Sequence, residues 1–399
     1  MNVVDALKGL KILDLTLLFP GPFGTKIFAD FGAEVIRIEN RQNPDASRGL
    51  PPFIGKPGMK GRESFFYHTL NRNKKSLTLN LKHPEGLEIF KKLAKDADVI
   101  VEQFRPGVVQ KLGIDYETIK QINPRIIYCA ITGYGQDGPY RDFPGHDLNY
   151  ASYAGVTGLY QSREGEPILP GLQIGDMVGG GLNAVIAILI ALYARQHTGK
   201  GQYIDISMME GVLGLNQMSL AQWLATREKP VLKEQPLTGG IAQYQIMKCK
   251  DGKYFSIGAL EPKFYAALLK QIGREDLSMG GLTKDQIQAE LQKTFLTKDR
   301  DTWTKELNTC DNEDAKMVAP VYEVDEVETD PHVQARHLII DVLTPHGTIK
   351  QIGFPLKLSE TPATLKFCAP ALGEHNEEIL GRLGYSPEDV KALRKRKAI

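Results

Sequence analysis

Two short stretches each set an ionisable side chain among small residues. His146 lies in FPGHDLNYASYAGVTG, residues 143–158, and Asp176 lies in IGDMVGGG, residues 174–181. An imidazole with an ordinary pKa near ~6.5 both takes and gives a proton at neutral pH. A carboxyl group on the opposite face of the same substrate carbon would complete a two-base pair for proton transfer. The plainer readings are a loop histidine, ordered by Asp147 and Asn149, and an aspartate serving as a helix N-cap. Gly179, Gly180 and Gly181 follow Asp176 in the first turns, where each glycine costs roughly 1 kcal/mol relative to alanine. That cost predicts something large close to the backbone, and a helix start would offer N–H groups to a developing oxyanion.

Other chemistry is sparse. Basic residues cluster in NRNKKSLTLNLK, residues 71–82, and Arg105 directly follows an apolar strand. An arginine at the carboxyl end of a parallel strand suits an anionic ligand; the alternative for the cluster is a solvated loop. The first strand–turn–helix ends its second strand at Glu39, as a dinucleotide site would, but the turn reads FPGPFG without GxGxxG. No nucleophile motif of the GxSxG kind occurs. The four cysteines are widely spaced, with no CxxC or metal-ligand pattern, so no metal site is expected and a reducing, cytoplasmic setting fits.

These residues must be held by a large framework. The 399 residues suit two domains, and 42% hydrophobic with 24% charged residues is an ordinary globular balance. A formal net charge of +1 gives no field for nucleic acid or an anionic membrane. The N-terminus carries scattered charges and does not read as a signal peptide. GLNAVIAILIALYA, residues 181–194, falls short of the roughly 18–20 residues that cross a bilayer, so a buried helix and no membrane insertion are expected. Apolar strands near 9–18, 33–40, 98–104 and 125–131 alternate with helices, an α/β parallel-sheet pattern. Charge and turn residues after about 225 mark a second domain, with a hairpin at Asp251-Gly252. The expected division is 1–224, 225–330 and 331–399, ending in a helix.

Six motifs in order, PGPFGTKIFADFGAEVIRIE, GHDLNY, GDMVGGGL, GKGQYIDISMMEG, DGKYFSIGALEPKFYAALL and LGEHNEEIL, resemble the class III (family III) CoA-transferase superfamily, most closely its alpha-methylacyl-CoA racemase branch. The resemblance implies a Rossmann-like large domain built from both chain ends, a smaller α+β domain, and an interlocked homodimer acting on acyl-CoA without a prosthetic group. It implies His146 and Asp176 as the proton-transfer pair, with Glu261 assisting the histidine side from a neighbouring subunit. Coenzyme A contacts map onto Arg41, Thr78, Leu79, Asn80, Leu81, Arg105, Gly145, Asp147, Leu148, Asn149 and Tyr150. Asn40 stands where relatives carry arginine, with Arg41 next to it, and GGIAQYQ replaces the usual racemase GGAPFY. The implied reaction is epimerisation at C2 of 2-methylacyl-CoA through an enolate, with Met177, Met208 and Met209 as an adaptable acyl surface. The alternative is transfer of CoA between carboxylic acids, with Asp176 as nucleophile.

Overall fold

A computed structural model of the chain describes residues 4–55, 61–162, 164–278 and 280–399. Short runs of apolar residues become the central strands, buried on both faces as parallel sheets require, while the edge strand Gln202–Ser207 is largely exposed. These are β1 (Lys11–Leu15), β2 (Glu34–Glu39), β3 (Lys75–Thr78), β4 (Val99–Glu102), β5 (Ile127–Thr132) and β6 (Gln202–Ser207). They form one parallel sheet in the order β3-β2-β1-β4-β5-β6. This is the doubly wound order, whose direction reverses between β1 and β4. Alternating side chains feed two cores. Leu13, Ile100 and Tyr128 meet one set of helices, while Ile12, Val99, Val101 and Cys129 meet the other.

The helices that concern the site are α1 (Pro20–Asp30), α2 (Pro84–Asp96), α3 (Asp147–Tyr153), α4 (Gly175–Thr198) and α5 (Met208–Leu213). Pro20 and Pro84 each open a helix, where a missing N–H costs nothing. Helix α4 begins with a π-helical segment, Gly175–Leu182, and continues as an α-helix over Asn183–Thr198. Its 24 residues, with a mean hydropathy of 2.0 in the most apolar window, are long and apolar enough to cross a membrane. The expectation drawn from length alone is thereby corrected, because the glycine-rich stretch is itself helical. One face of α4, carrying Ala184, Val185, Ile188 and Ala191, packs in the sheet's core, while Ile186, Leu189, Ile190 and Tyr193 are exposed.

The chain divides into two compact units, 1–216 with 337–399, and 217–336. The boundaries fall a few residues from the expected 224/225 and 330/331. Helices Gln217–Thr226 and Pro331–Ala335 belong with the second unit rather than the first. That unit has antiparallel strands β7 (Tyr244–Lys248), β8 (Tyr254–Gly258) and β9 (Val318–Val321) in the order β9-β8-β7. Its core joins Phe255, Phe295, Trp303 and Leu268. The return segment of the first unit holds a hairpin, Ile339–Thr344 with Gly347–Ile352, which was not anticipated from the sequence.

Candidate active site

A cavity of about 960 Å³ lies at the carboxyl ends of β1, β4 and β5 in the first unit. Such a crevice, beside the reversal in strand order, is where open α/β sheets bind ligands. Leu18, Phe19 and Pro20 come from the turn after β1, and Gln103, Phe104 and Arg105 follow β4. His146 comes from the loop leading to α3, and Asp176 comes from the start of α4. The two candidate proton carriers therefore share one cavity.

The segment around His146 is tightly specified. The His146 N–H donates to Asn149 Oδ1 at 3.0 Å, and its carbonyl accepts from the Asn149 N–H at 2.8 Å. The Tyr150 hydroxyl donates to the Gly145 carbonyl. A Cβ on Gly133 or Gly145 would lie 2.4 or 2.7 Å from the Tyr150 ring, so both glycines exist to admit it. Tyr134 meets Tyr140, Phe143, Tyr150 and Tyr153 edge-on, forming an aromatic base under the loop. The imidazole itself is exposed to the cavity side of this scaffold.

Asp176 does not cap its helix; Ile174 holds that position and no side chain caps there. Its N–H donates to Asp147 Oδ1 at 2.9 Å. Burial, aided by the Asp147 carboxylate and opposed by His146, pushes the Asp176 carboxyl up to about 6. Near neutral pH it therefore samples both acid and base forms.

Two expectations about this helix start change. The glycines do not clear space for a ligand. A Cβ on Gly179 would lie 2.4 Å from the Met208 carbonyl oxygen, one on Gly180 would lie 2.8 Å from Pro20, and one on Gly181 would lie 2.8 Å from Phe23. What approaches the backbone is the protein's own α1 and α5. Nor are the amides of Asp176 and Met177 open to an oxyanion, because the first is taken by Asp147 and the second by the Gln173 carbonyl. The wider π-helical winding accommodates these contacts, and such segments recur at functional sites.

Most residues mapped for coenzyme A fall at the carboxyl edge of the sheet. Arg105, Gly145, Asp147, Asn149 and Tyr150 line the main cavity, and Leu148 of the same loop does not. Leu79, Asn80 and Leu81 line a second cavity of about 300 Å³, which shares Phe104 with the first. Thr78 is placed elsewhere. It is fully buried, donating its N–H to Asn376 Oδ1 and accepting from Asn376 Nδ2. Arg41 is exposed and does not line the second cavity, whereas Asn40 does. Glu261 is exposed at the start of Pro262–Gln271 in the second unit. Of the three methionines only Met208 reaches the main cavity. The cavity wall also includes Phe19, from the FPGPFG turn, together with Phe66, Gln103 and Gln173, which were not assigned to the site from the sequence.

The basic cluster of residues 71–82 is neither a ligand site nor a solvated loop in its central part. Arg72 pairs with Asp30 at 2.8 Å and Lys74 with Asp14 at 3.1 Å, all four residues buried. Lys75 bridges Glu34 and Glu378. Among the described residues no group of His, Cys, Asp and Glu could hold a metal ion.

The fold and the cavity define an α/β protein with its ligand cleft at the sheet's switch point, walled by a histidine and a carboxyl group of raised pKa. The profile of CoA-transferase family III matches residues 7–376, and the chain belongs to that family. Alpha-methylacyl-CoA racemase of Homo sapiens is 34% identical, over 99% of this chain and 97% of its own. The succinyl-CoA–L-malate CoA-transferase beta subunit of Chloroflexus aurantiacus is 32% identical, over 98% of each chain. A solved CAIB/BAIF family protein from Brucella suis has a TM-score of 0.82 at 31% identity, covering 95% of this chain and 99% of that one. The protein is thus an enzyme of the family III superfamily, which contains both racemases and CoA-transferases.

Proposed function

We propose that the enzyme epimerises C2 of 2-methylacyl-CoA thioesters by 1,1-proton transfer. The observation that carries this reading is the pairing of His146 with Asp176 on one cavity, the carboxyl pushed up to about 6. His146 removes the α-proton of one epimer while Asp176, in its acid form, returns a proton to the opposite face; the roles reverse for the other epimer. The planar enolate between these steps needs donors aimed at its oxygen. The amides of Asp176 and Met177 are engaged, so this task falls to side chains on the cavity wall such as Gln103, Gln173 and Arg105. Phe19, Phe66, Phe104 and Met208 offer the acyl chain an apolar wall. CoA is carried as part of the substrate along the edge formed by Asn80, Leu81 and Arg105. In this reading the enzyme is a cytoplasmic homodimer in which Glu261 assists the histidine of the neighbouring subunit.

In deuterium oxide, a 2-methylacyl-CoA incubated with the enzyme is expected to gain α-deuterium, read by mass spectrometry or proton NMR. His146→Ala is expected to lower that exchange at least ~100-fold, the usual scale of a lost general base. Absence of exchange across several acyl chains overturns the racemase reading. The alternative, CoA transfer through an aspartyl intermediate, is supported by the 32% identical transferase subunit. It is the better reading if His146→Ala still moves CoA to a free carboxylic acid and hydroxylamine traps Asp176 during turnover.

A further inference from the structure

The carboxylate of Asp147 has no role in the proton relay just described, yet it stands between both of its members. It follows His146 directly, and its Oδ1 accepts the Asp176 N–H at 2.9 Å across 29 residues of sequence. The contact depends on Gly175, where a Cβ would lie 2.9 Å from that same oxygen. α1 and α5 bring small or uncharged residues to this helix start, Pro20, Phe23 and Gly24 from one and Met208 and Val212 from the other. Glu210 of α5 interacts instead with Asp205 and Asp137. The ionisable groups near Asp176 are therefore His146, Asp147 and Tyr150, with Arg105 and the Arg141–Asp142 ion pair elsewhere on the cavity wall.

We propose that Asp147 is a positioning residue for the proton transfer. Its hydrogen bond to the Asp176 amide fixes that carboxyl relative to His146, and its negative charge biases the carboxyl toward keeping a proton. A like charge nearby disfavours ionisation, and burial adds to the effect here. This inference rests on the racemase reading for its kinetic consequence but not for its electrostatic one.

Asp147→Asn separates the two contributions, since an amide oxygen still accepts the Asp176 N–H while the charge is gone. The Asp176 carboxyl is followed by carbon-13 NMR in the resting enzyme, its signal assigned by its loss in Asp176→Asn. We expect the Asp176 midpoint in Asp147→Asn to move about one pH unit lower. The limb of the pH profile for α-deuterium exchange that reports Asp176 is expected to move the same way. Asp147→Ala, which also removes the acceptor, is expected to lose at least ~10-fold more exchange than Asp147→Asn while keeping its far-ultraviolet circular dichroism. An unshifted midpoint in Asp147→Asn overturns the proposal, because a purely structural cap would leave it in place. A shifted midpoint in an enzyme that exchanges no deuterium upholds it and removes only the racemase reading.

Discussion

Asp176 illustrates how one carboxyl group can be useful and costly together. Its pKa rises from 3.8 to about 6 on folding, so the unfolded chain ionises it more readily than the folded one. A group raised in this way supports the folded state fully below pH 3.8 and loses that support as pH climbs through about 6. Asp176→Asn removes the ionisation and retains the shape. The variant is expected to melt at a higher temperature than the parent at pH 8, with the difference vanishing near pH 4, while its exchange activity is lost. Calorimetry at both pH values checks the first part, and an equal difference at both would mean that ionisation is not the cause. On the proposed mechanism, stability gained by removing this group is the ordinary trade at an active site.

At the scale of the element, the start of α4 is decided by what it must pass between. Gly179 faces the Met208 carbonyl, a backbone atom that cannot rotate away, so Gly179→Ala is expected to destabilise the fold by about 2–3 kcal/mol in urea titrations. Gly158→Ala is the contrast, because no neighbour lies within 4 Å and the change is expected to cost little. Matching costs at the two sites would argue against the close helix packing. Strands β1, β2, β4 and β5 were legible in the sequence because apolar runs such as the VIVE of β4 admit few other placements, and the hairpin at Asp251-Gly252 because its turn chemistry is local, whereas β3 was hidden inside the basic cluster of residues 71–82. The π-helical segment was not legible, since three glycines announce a close approach without saying by whom. His146 and Asp176 stood out by their setting. Phe19, Phe66, Gln103 and Gln173 did not, because they reach the cavity from four separate parts of the chain, the turns after β1 and β4, the helix Phe65–Asn71 and the segment before α4, which only the fold brings together. The charges of residues 71–82 misled for a related reason: sequence cannot distinguish a solvated lysine from one whose carboxylate partner sits on a distant strand.

Across the whole first unit, the buried ions join β1, β2, β3 and the turn that opens the cavity. Asp14 accepts from Thr16, Thr25 and Lys74, while Arg37 binds Asp45 and lies near Asp14 and Glu39. Asp45 in turn accepts the N–H of Leu18, a residue held at φ 58° on the cavity wall. Burial alone would push the Asp14 carboxyl up, but Lys74, Arg37 and the two hydroxyls outweigh it and bring it down to about 2. The sign is therefore opposite to that of Asp176: the contribution is complete above pH 3.8 and disappears as pH falls through about 2. Asp14→Asn leaves Lys74 fully buried among neutral acceptors, the Pro22 carbonyl, Thr25 Oγ1 and Asn71 Oδ1. Breaking one side of such a pair costs about 3–5 kcal/mol. Urea unfolding at pH 7 is expected to register that loss, and the gap between variant and parent is expected to narrow below pH 3, where the parent's own carboxylate begins to take up its proton. A gap that stays constant with pH would mean that packing around Asp14, rather than its charge, holds the turn beneath the active site.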